Sequence, residues 1–113
     1  MYTSKIGSIE FEMLVDRFVT SLKRYLQADV TCELAACFDR FDRESYSVSV
    51  KNGRNYFQLY VNDGTCTYED YDRGVDVNCV DEYGNVIESW GLTSDNSDYV
   101  GKSVGRYIEN TLA

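Results

Sequence analysis

The chain is predicted to fold as one α+β domain covering residues 1–113, with an antiparallel β-meander of about four to five strands and two helices packed on one of its faces, in the order αβββββα. Three observations predict this fold class. Apolar residues recur at helical spacing near both ends of the chain, they alternate with polar residues in the middle, and turn-forming residues separate the alternating segments. With 113 residues, the chain is long enough to bury a single core.

The N-terminal helix is predicted over residues 8–27. Ser8 is suited to cap the first turn, and that turn carries Glu10 and Glu12, which the helix dipole favours there. The polar side is not basic enough for a membrane-binding helix, so the apolar side is predicted to face the core. The apolar side repeats at three- and four-residue steps and comprises Phe11, Leu14, Val15, Phe18, Val19, Leu22, Tyr25 and Leu26.

Residues 29–38 alternate between two sides, which predicts a strand, and the polar residues 39–44 are predicted to connect it to the next element. The alternative is a short helix whose face would be formed by Leu34, Cys37, Phe38 and Phe41.

A β-hairpin is predicted for residues 45–50 and 55–61, because Asn52-Gly53 favours a two-residue type I′ turn. One face of this hairpin is apolar and the other carries serines and tyrosines. We therefore expect Phe57 to be buried, with a cost of about 3–5 kcal/mol for its replacement by alanine. The predicted pairs are Lys51 with Arg54, Val48 with Phe57, and Tyr46 with Leu59.

In the second half, residues 65–71 are predicted to form an edge or bulged strand, and residues 75–80 and 86–91 a second hairpin. Gly84 is expected to be the left-handed residue of its turn, residues 81–85. The predicted pairs are Asp81 with Asn85, Cys79 with Ile87, and Val77 with Ser89. Val75, Val77, Cys79 and Ile87 then face inward, whereas Asp76, Asn78, Glu88 and Trp90 face outward.

The C-terminal helix is predicted over residues 96–111, with Asp95 as its cap. Gly101 and Gly105 lie one turn apart, and each costs about 1 kcal/mol relative to alanine in a helix interior. We expect both glycines to let the helix lie close to the sheet. The predicted buried stripe consists of Val100, Val104, Tyr107, Ile108 and Thr111.

The chain contains no histidine, which excludes imidazole-based catalysis and imidazole-ligated metals. We expect no cofactor, no metal and no enzymatic activity. The first residues lack an apolar signal segment and no stretch is long enough to span a bilayer, which predicts a cytoplasmic protein with no membrane partner. The cysteines form no CxxC pair, which favours free thiols at Cys32, Cys37, Cys66 and Cys79.

Negative charge is concentrated in the second half of the chain. Residues 63–98 contain ten acids and one base, Arg73, for a local charge of −9, whereas residues 1–60 contain eight acids and eight bases. Such a stretch repels nucleic acid and attracts a cationic surface. The simplest alternative is an acidic surface that keeps the protein soluble.

We predict that this acidic stretch binds a protein partner. Residues two apart on a strand point the same way at about 6.6–6.8 Å, and rigid aromatic side chains are effective interface anchors. Asp76 and Glu88 are expected to share one face on neighbouring strands. The candidate partner-binding residues are Tyr68, Glu69, Asp70, Tyr71, Asp72, Asp76, Asp81, Glu82, Tyr83, Glu88 and Trp90.

The runs Tyr68-Glu69-Asp70-Tyr71-Asp72 and Val80-Asp81-Glu82-Tyr83, in a small acidic α+β domain, resemble those of anti-CRISPR and anti-restriction inhibitors of phages and mobile elements, many of which mimic DNA. The resemblance rests on size, acidity and architecture and covers mainly residues 63–98. It implies a non-enzymatic inhibitor that occupies the nucleic-acid-binding surface of a cationic nuclease or effector complex. An immunity protein against a cationic toxin and a housekeeping homo-oligomer, such as a homodimer, have the same features.

Overall fold

A computed structural model describes residues 8–26, 29–38, 44–52, 55–62, 67–68, 71–72, 75–93 and 95–112 of the chain. In chain order, the elements are α1 (Ile9–Tyr25), β1 (Asp29–Phe38), β2 (Glu44–Asn52), β3 (Asn55–Asn62), β4 (Thr67–Tyr68), β5 (Tyr71–Asp72), β6 (Val75–Val80), β7 (Val86–Leu92) and α2 (Ser97–Leu112).

Five antiparallel strands form the main sheet in the order β1-β2-β3-β6-β7. The predicted αβββββα architecture is therefore confirmed, as is the strand at residues 29–38. The edge strand predicted at residues 65–71 is wrong. There, β4 and β5 pair with each other in a separate two-stranded sheet, in which Thr67 is opposite Asp72 and Tyr68 is opposite Tyr71.

Helix α1 begins at its predicted cap, and its predicted apolar side faces the core except at Tyr25, which is exposed, so the prediction is wrong at that residue. The Ser8 hydroxyl accepts a hydrogen bond from the Phe11 backbone N–H at 3.2 Å, which satisfies one of the amides left free at a helix N-terminus. The Phe11 ring packs edge-on against Tyr46 of β2, with ring centroids 5.1 Å apart. Leu22 is fully buried.

Helix α2 runs beside α1 and is one residue displaced from its predicted start. The Asn96 carbonyl accepts the first helical hydrogen bond, from Val100 N–H at 2.8 Å, so Asn96 flanks the helix and the prediction of Asp95 as the cap is wrong. In the predicted buried stripe, Val100, Val104 and Ile108 are buried and Tyr107 is partly buried. The prediction is wrong at Thr111, which is exposed.

The two glycines of α2 face α1 rather than the sheet, which corrects the sequence-based expectation. A Cβ atom added at Gly101 would lie 2.5 Å from the Cβ of Ser21 and 3.0 Å from the backbone nitrogen of Leu22. One added at Gly105 would lie 3.2 Å from the Cβ of Tyr25. These small residues therefore allow close contact between the two helices.

The β2–β3 hairpin forms with a register two residues away from the predicted one. Its last pair is Asn52 with Asn55, which places the connection one residue later than expected. An even shift leaves every side chain on its predicted face. Phe57, however, moves toward the end of the sheet and is only partly buried. The observed pairs are Val50 with Phe57, Val48 with Leu59, and Tyr46 with Val61.

The β6–β7 hairpin has the predicted turn but an irregular register. Gly84 adopts a left-handed conformation with φ of 82°, and the Asp81 N–H donates to the Asn85 carbonyl at 2.9 Å. A register shift follows at Ile87, between the pairs Val80–Val86 and Cys79–Glu88. This one-residue slip reverses the later side chains. The inward orientation predicted for Ile87 and the outward orientations predicted for Glu88 and Trp90 are therefore wrong.

The hydrophobic core lies between the sheet and the two helices, with α1 against β1 and α2 against β7. Its fully buried sheet residues include Val48, Leu59, Val61 and Val77. The opposite face of the sheet is polar, with side-chain hydrogen bonds that join Ser45 to Asn62, and Ser47, Ser49 and Tyr56 to Gln58.

Candidate functional site

The described residues of the predicted partner site lie at several separate places on the fold. The first group includes Tyr68 and Tyr71, whose backbones are paired between β4 and β5. The side chains of residues 68–72, which include candidates Glu69, Asp70 and Asp72, lie outside the described part of the chain. Their predicted role as a binding surface therefore stays a prediction.

The second group occupies the loop between β6 and β7. The Asp81 carboxylate organises this loop, because its Oδ1 accepts hydrogen bonds from the backbone N–H groups of Tyr83 at 2.9 Å and of Asn85 at 2.8 Å. Such side-chain bonds to nearby backbone are typical of tight turns. Asp81 therefore has a structural role, and the loop that it orders presents its neighbours Glu82 and Tyr83 to solvent.

Among the described candidates, Glu82, Tyr83 and Glu88 are exposed, and Glu82 and Tyr83 are neighbours in the loop. Glu82 is exposed and Tyr83 has 81% of its surface accessible. An aromatic ring that is this exposed contributes little to the stability of the fold. Aromatic residues are enriched among the anchors of protein interfaces. This loop is thus the part of the predicted site that is best presented to a partner.

The third group divides between the two faces of the sheet. Asp76 is opposite Gly91, whereas Glu88 is opposite Cys79 on the helix-facing side. The prediction that Asp76 and Glu88 share a face is therefore wrong, because the register shift at Ile87 reverses the orientation of Glu88. Asp76 itself is only partly exposed.

Trp90 has a packing role rather than that of an exposed anchor. It pairs with Val77, is partly buried against the core, and its ring lies edge-on to that of Tyr107 in α2 with centroids 5.6 Å apart. Edge-to-face aromatic contacts of this kind stabilise a core beyond the area they bury. We infer that Trp90 attaches α2 to the edge of the sheet.

Glu88 protects the exposed edge strand. Its carboxylate accepts a hydrogen bond from the Ser89 backbone N–H at 3.1 Å, and the Asn96 side-chain amide donates to the Gly91 carbonyl at 3.1 Å. Unpaired backbone groups on an edge strand are a template for further strand pairing, and proteins commonly block them. Two backbone groups of β7, the Ser89 N–H and the Gly91 carbonyl, are blocked in this way.

Cys79 is buried beneath the same strand. Burial, and then the nearby negative charge of Glu88, raises the pKa of its thiol from 9.0 to about 11. Because the thiolate is the nucleophilic form, the protonated thiol at neutral pH is not suited to catalysis. The prediction of a free thiol is confirmed for Cys79, whereas the side chains of Cys32, Cys37 and Cys66 lie outside the described residues.

Part of the acidic stretch is neutralised by α1. The Asp98 carboxylate accepts from Arg24 Nη1 and from the Ser21 hydroxyl, each at 3.0 Å. These contacts fix the N-terminal part of α2 to α1. Asp98 therefore contributes less to an external negative field than its sequence position suggests.

The polar face of the sheet contains buried residues that sequence analysis did not identify, and Asn78 is one of them. Asn78 lies between Tyr60 and Ser89 in the sheet and is 7% exposed. Its Nδ2 atom is the buried side-chain atom without a hydrogen-bond partner among the residues that the structure describes. An unpaired buried amide destabilises the folded state. The alternation of apolar and polar residues along the strand gives no sign that Asn78 is buried.

A shallow apolar groove near the loop was also missed by sequence analysis. It has a volume of about 300 Å³ and lies between the start of β3 and the β6–β7 loop, with Phe57, Val80 and Ile87 among its lining residues. Ile87 is 44% exposed there because of the register shift. A regular alternation of inward and outward residues along β7 predicts that Ile87 faces inward, so sequence analysis could not identify it at this surface.

The described residues include no cluster of three or more acidic or cysteine side chains arranged to hold a metal ion. Neither of the helices in the described ranges is long and apolar enough to cross a membrane. Comparison of the chain with models of protein families, with curated proteins and with solved structures finds no match.

Proposed function

We propose that this chain is a non-enzymatic acidic inhibitor, encoded by a phage or mobile element, that binds a cationic nucleic-acid-binding protein such as a nuclease or an effector complex of the kind that anti-CRISPR and anti-restriction proteins block. One observation carries the proposal. From Val75 to Asp98 the chain has six carboxylates and no lysine or arginine, and Glu82, Tyr83 and Glu88 within that segment are exposed.

The physical basis is imitation of the charge of a nucleic-acid backbone. Proteins bind DNA and RNA largely through lysine and arginine side chains that contact phosphates. A protein surface with exposed carboxylates offers those side chains an alternative partner, and electrostatic attraction speeds the encounter. Exposed aromatic residues such as Tyr83 then supply the apolar contact that phosphates do not.

The chemistry of the chain is consistent with binding rather than catalysis. There is no histidine to act as a general base near neutral pH. Cys79, the described thiol, is buried and protonated at neutral pH. A role in binding requires only the exposed acidic surface.

The first test is capture of the partner from cells that produce the protein, with the tagged wild type as bait, and identification of the captured protein by mass spectrometry. The variant with Glu69→Lys, Asp70→Lys and Asp72→Lys reverses charge within the acidic stretch. A matched control reverses three exposed acids of the neutral half, with Glu10→Lys, Asp16→Lys and Asp29→Lys. We expect the first variant to lose capture and the control to retain it.

The second test is competition between this protein and nucleic acid for the purified partner. We expect the wild type to displace fluorescently labelled nucleic acid from the partner, with weaker displacement at higher salt because both interactions are screened. A ternary complex of this protein, its partner and nucleic acid would overturn the proposal. A toxin without a nucleic-acid site would instead support an immunity protein, and self-association as the sole interaction would support a homo-oligomer.

A further inference from the structure

The apolar groove at the β6–β7 loop has a chemical character of its own. It is lined by the apolar residues Phe57, Val80 and Ile87 and by Tyr56, Gln58, Asp81 and Glu82. Apolar surface flanked by negative charge is complementary to a side chain that is itself apolar along its length and cationic at its end.

The exposed hydrophobic residues of this region concentrate around the groove. Tyr56 is 55% exposed, and Ile87 and Tyr83 are also largely accessible. The register shift in the β6–β7 hairpin orients Ile87 outward, so its exposure follows from the backbone of the sheet rather than from a side-chain rotation. Such outward apolar groups at a concave surface are typical of interaction sites.

The two carboxylates have different availability. Asp81 is engaged by the backbone of its own loop. Glu82 is exposed and, within the described ranges, makes no hydrogen bond or ion pair. Lys51 is opposite Tyr56 on β2 and is not among the residues that line the groove. Glu82 is thus free to pair with a cation from outside.

We propose that this groove receives an arginine side chain from the cationic partner, a proposal that names the contact within the function proposed above and rests on it. The methylene stem lies along Ile87 and Val80, the guanidinium pairs with Glu82, and its planar face stacks on the ring of Tyr56. Arginine fits better than lysine because its guanidinium is planar, weakly hydrated and able to stack on an aromatic ring while it bonds a carboxylate.

The test is an NMR titration of the full-length ¹⁵N-labelled protein with the peptide acetyl-Gly-Arg-Gly-amide. Matched peptides carry lysine, or citrulline, which has the shape of arginine without its charge. We expect saturable shifts at the amides of Phe57 and of residues 80–87. Affinity should fall from arginine to lysine to citrulline, with about a two- to fivefold difference between arginine and citrulline, as for an exposed ion pair.

Two variants separate the charged and apolar parts of the site. Glu82→Gln should lower the affinity for the arginine peptide to that of the citrulline peptide, whereas Asp95→Asn, an equal change at an exposed residue beyond the other end of β7, should leave it unchanged. Ile87→Ser should weaken both peptides. Shifts that do not saturate, that map elsewhere, or that are equal for arginine and citrulline would overturn the proposal.

The outcomes also separate this proposal from the proposed function. If the arginine peptide fails to bind here while the protein still competes with nucleic acid for its partner, the proposal of an arginine site is rejected and the proposed inhibitor function is retained. If the peptide binds but the partner has no nucleic-acid site, the groove remains as an arginine site on a protein of another function.

Discussion

Replacement of Gly101 by alanine tests the packing of α2 against α1. In an isolated helix this change is favourable by about 1 kcal/mol. Here the added methyl group would lie 2.5 Å from the Cβ of Ser21, closer still to its hydroxyl, and 3.0 Å from the backbone nitrogen of Leu22. The helices must separate, or Ser21 must move away from the Asp98 backbone carbonyl and carboxylate, to each of which its hydroxyl donates at 3.0 Å.

The expected loss follows from three contributions. Overpacking of a close contact costs about 1–3 kcal/mol. Loss of one Ser21 hydrogen bond costs about 0.5–1.5 kcal/mol. The gain in helix propensity offsets about 1 kcal/mol of this. Gly101→Ala should therefore reduce the free energy of unfolding by about 0.5–3.5 kcal/mol, or the melting temperature by about 2 to 14 °C for a domain of this size.

The measurement is thermal and urea unfolding of the wild type and of four variants, Gly101→Ala, Gly105→Ala, Ser21→Gly and the double variant with Ser21→Gly and Gly101→Ala. Gly105→Ala is the matched control, because its methyl group would meet Tyr25 at 3.2 Å, and its stability should stay within about 1 kcal/mol of wild type. In a Ser21→Gly background, the cost of Gly101→Ala should largely disappear, since the clashing atoms are gone. An increase in stability of Gly101→Ala alone would refute the close approach of the helices.

Four further outcomes are expected. Leu59→Ala at a fully buried site should cost about 2–5 kcal/mol, and Phe57→Ala less than the value first expected for a buried ring, as measured by urea denaturation; a larger loss at Phe57 would contradict the observed register. Gly84→Ala should cost about 1–2 kcal/mol through its positive φ alone, since nothing lies within 4 Å of the added atom, and a neutral result in the same assay would refute this. Cys79 should resist alkylation by iodoacetamide near neutral pH, as measured by peptide mass. Its contribution to stability should be present below about pH 9 and be lost as the pH rises to about 11, because the thiol of the unfolded chain ionises at lower pH than the buried thiol. A Cys79→Ala variant should lack that decline. Asn78→Val should raise stability by up to about 1 kcal/mol by removing the unpaired amide, and a loss would indicate that the amide has a partner.

The sequence predicts the elements and faces of this fold better than its registers. The spacing of apolar residues in α1 and their alternation in β2 and β3 depend on local geometry, and both predictions are confirmed. The two-residue shift of the β2–β3 hairpin was not predictable from alternation, because every even shift preserves the same faces. Phe57 shows the consequence, since the shift moves it from the centre of the core to its margin.

The bulge at Ile87 explains most of the errors in the candidate site. Alternation assigns one face to each successive residue, so a single extra residue reverses all assignments that follow it. Trp90 was therefore expected outside but packs on Tyr107, and Ile87 was expected inside but lines the groove. Nothing in the local composition distinguishes this strand from a regular one, because the bulge depends on pairing with β6 across the hairpin.

The role of the glycines in α2 depended on information that one helix does not contain. Their spacing predicts a close approach to some neighbour, and this is correct. Which neighbour it is depends on the position of α1, whose Ser21 and Tyr25 meet Gly101 and Gly105 at the same four-residue interval. Matching intervals on two helices are a signal that pairwise analysis of the sequence can use.

The distribution of the acidic residues divides the proposed binding reaction into two parts. Carboxylates at the β6–β7 loop, at the edge of β7 and at the start of α2 lie at separate places, so no single contact gathers them all. Their common effect is a long-range field, which acts on the encounter and is screened by salt. The groove at Ile87 acts at short range, on the dissociation rate of the complex after the encounter.

Charge reversal at Glu69, Asp70 and Asp72 should therefore lower the association rate with the partner, while Ile87→Ser should raise the dissociation rate and leave association nearly unchanged. Surface plasmon resonance at two salt concentrations separates these effects, and an equal change in association for both variants would show that charge and groove are not distinct parts of the interaction.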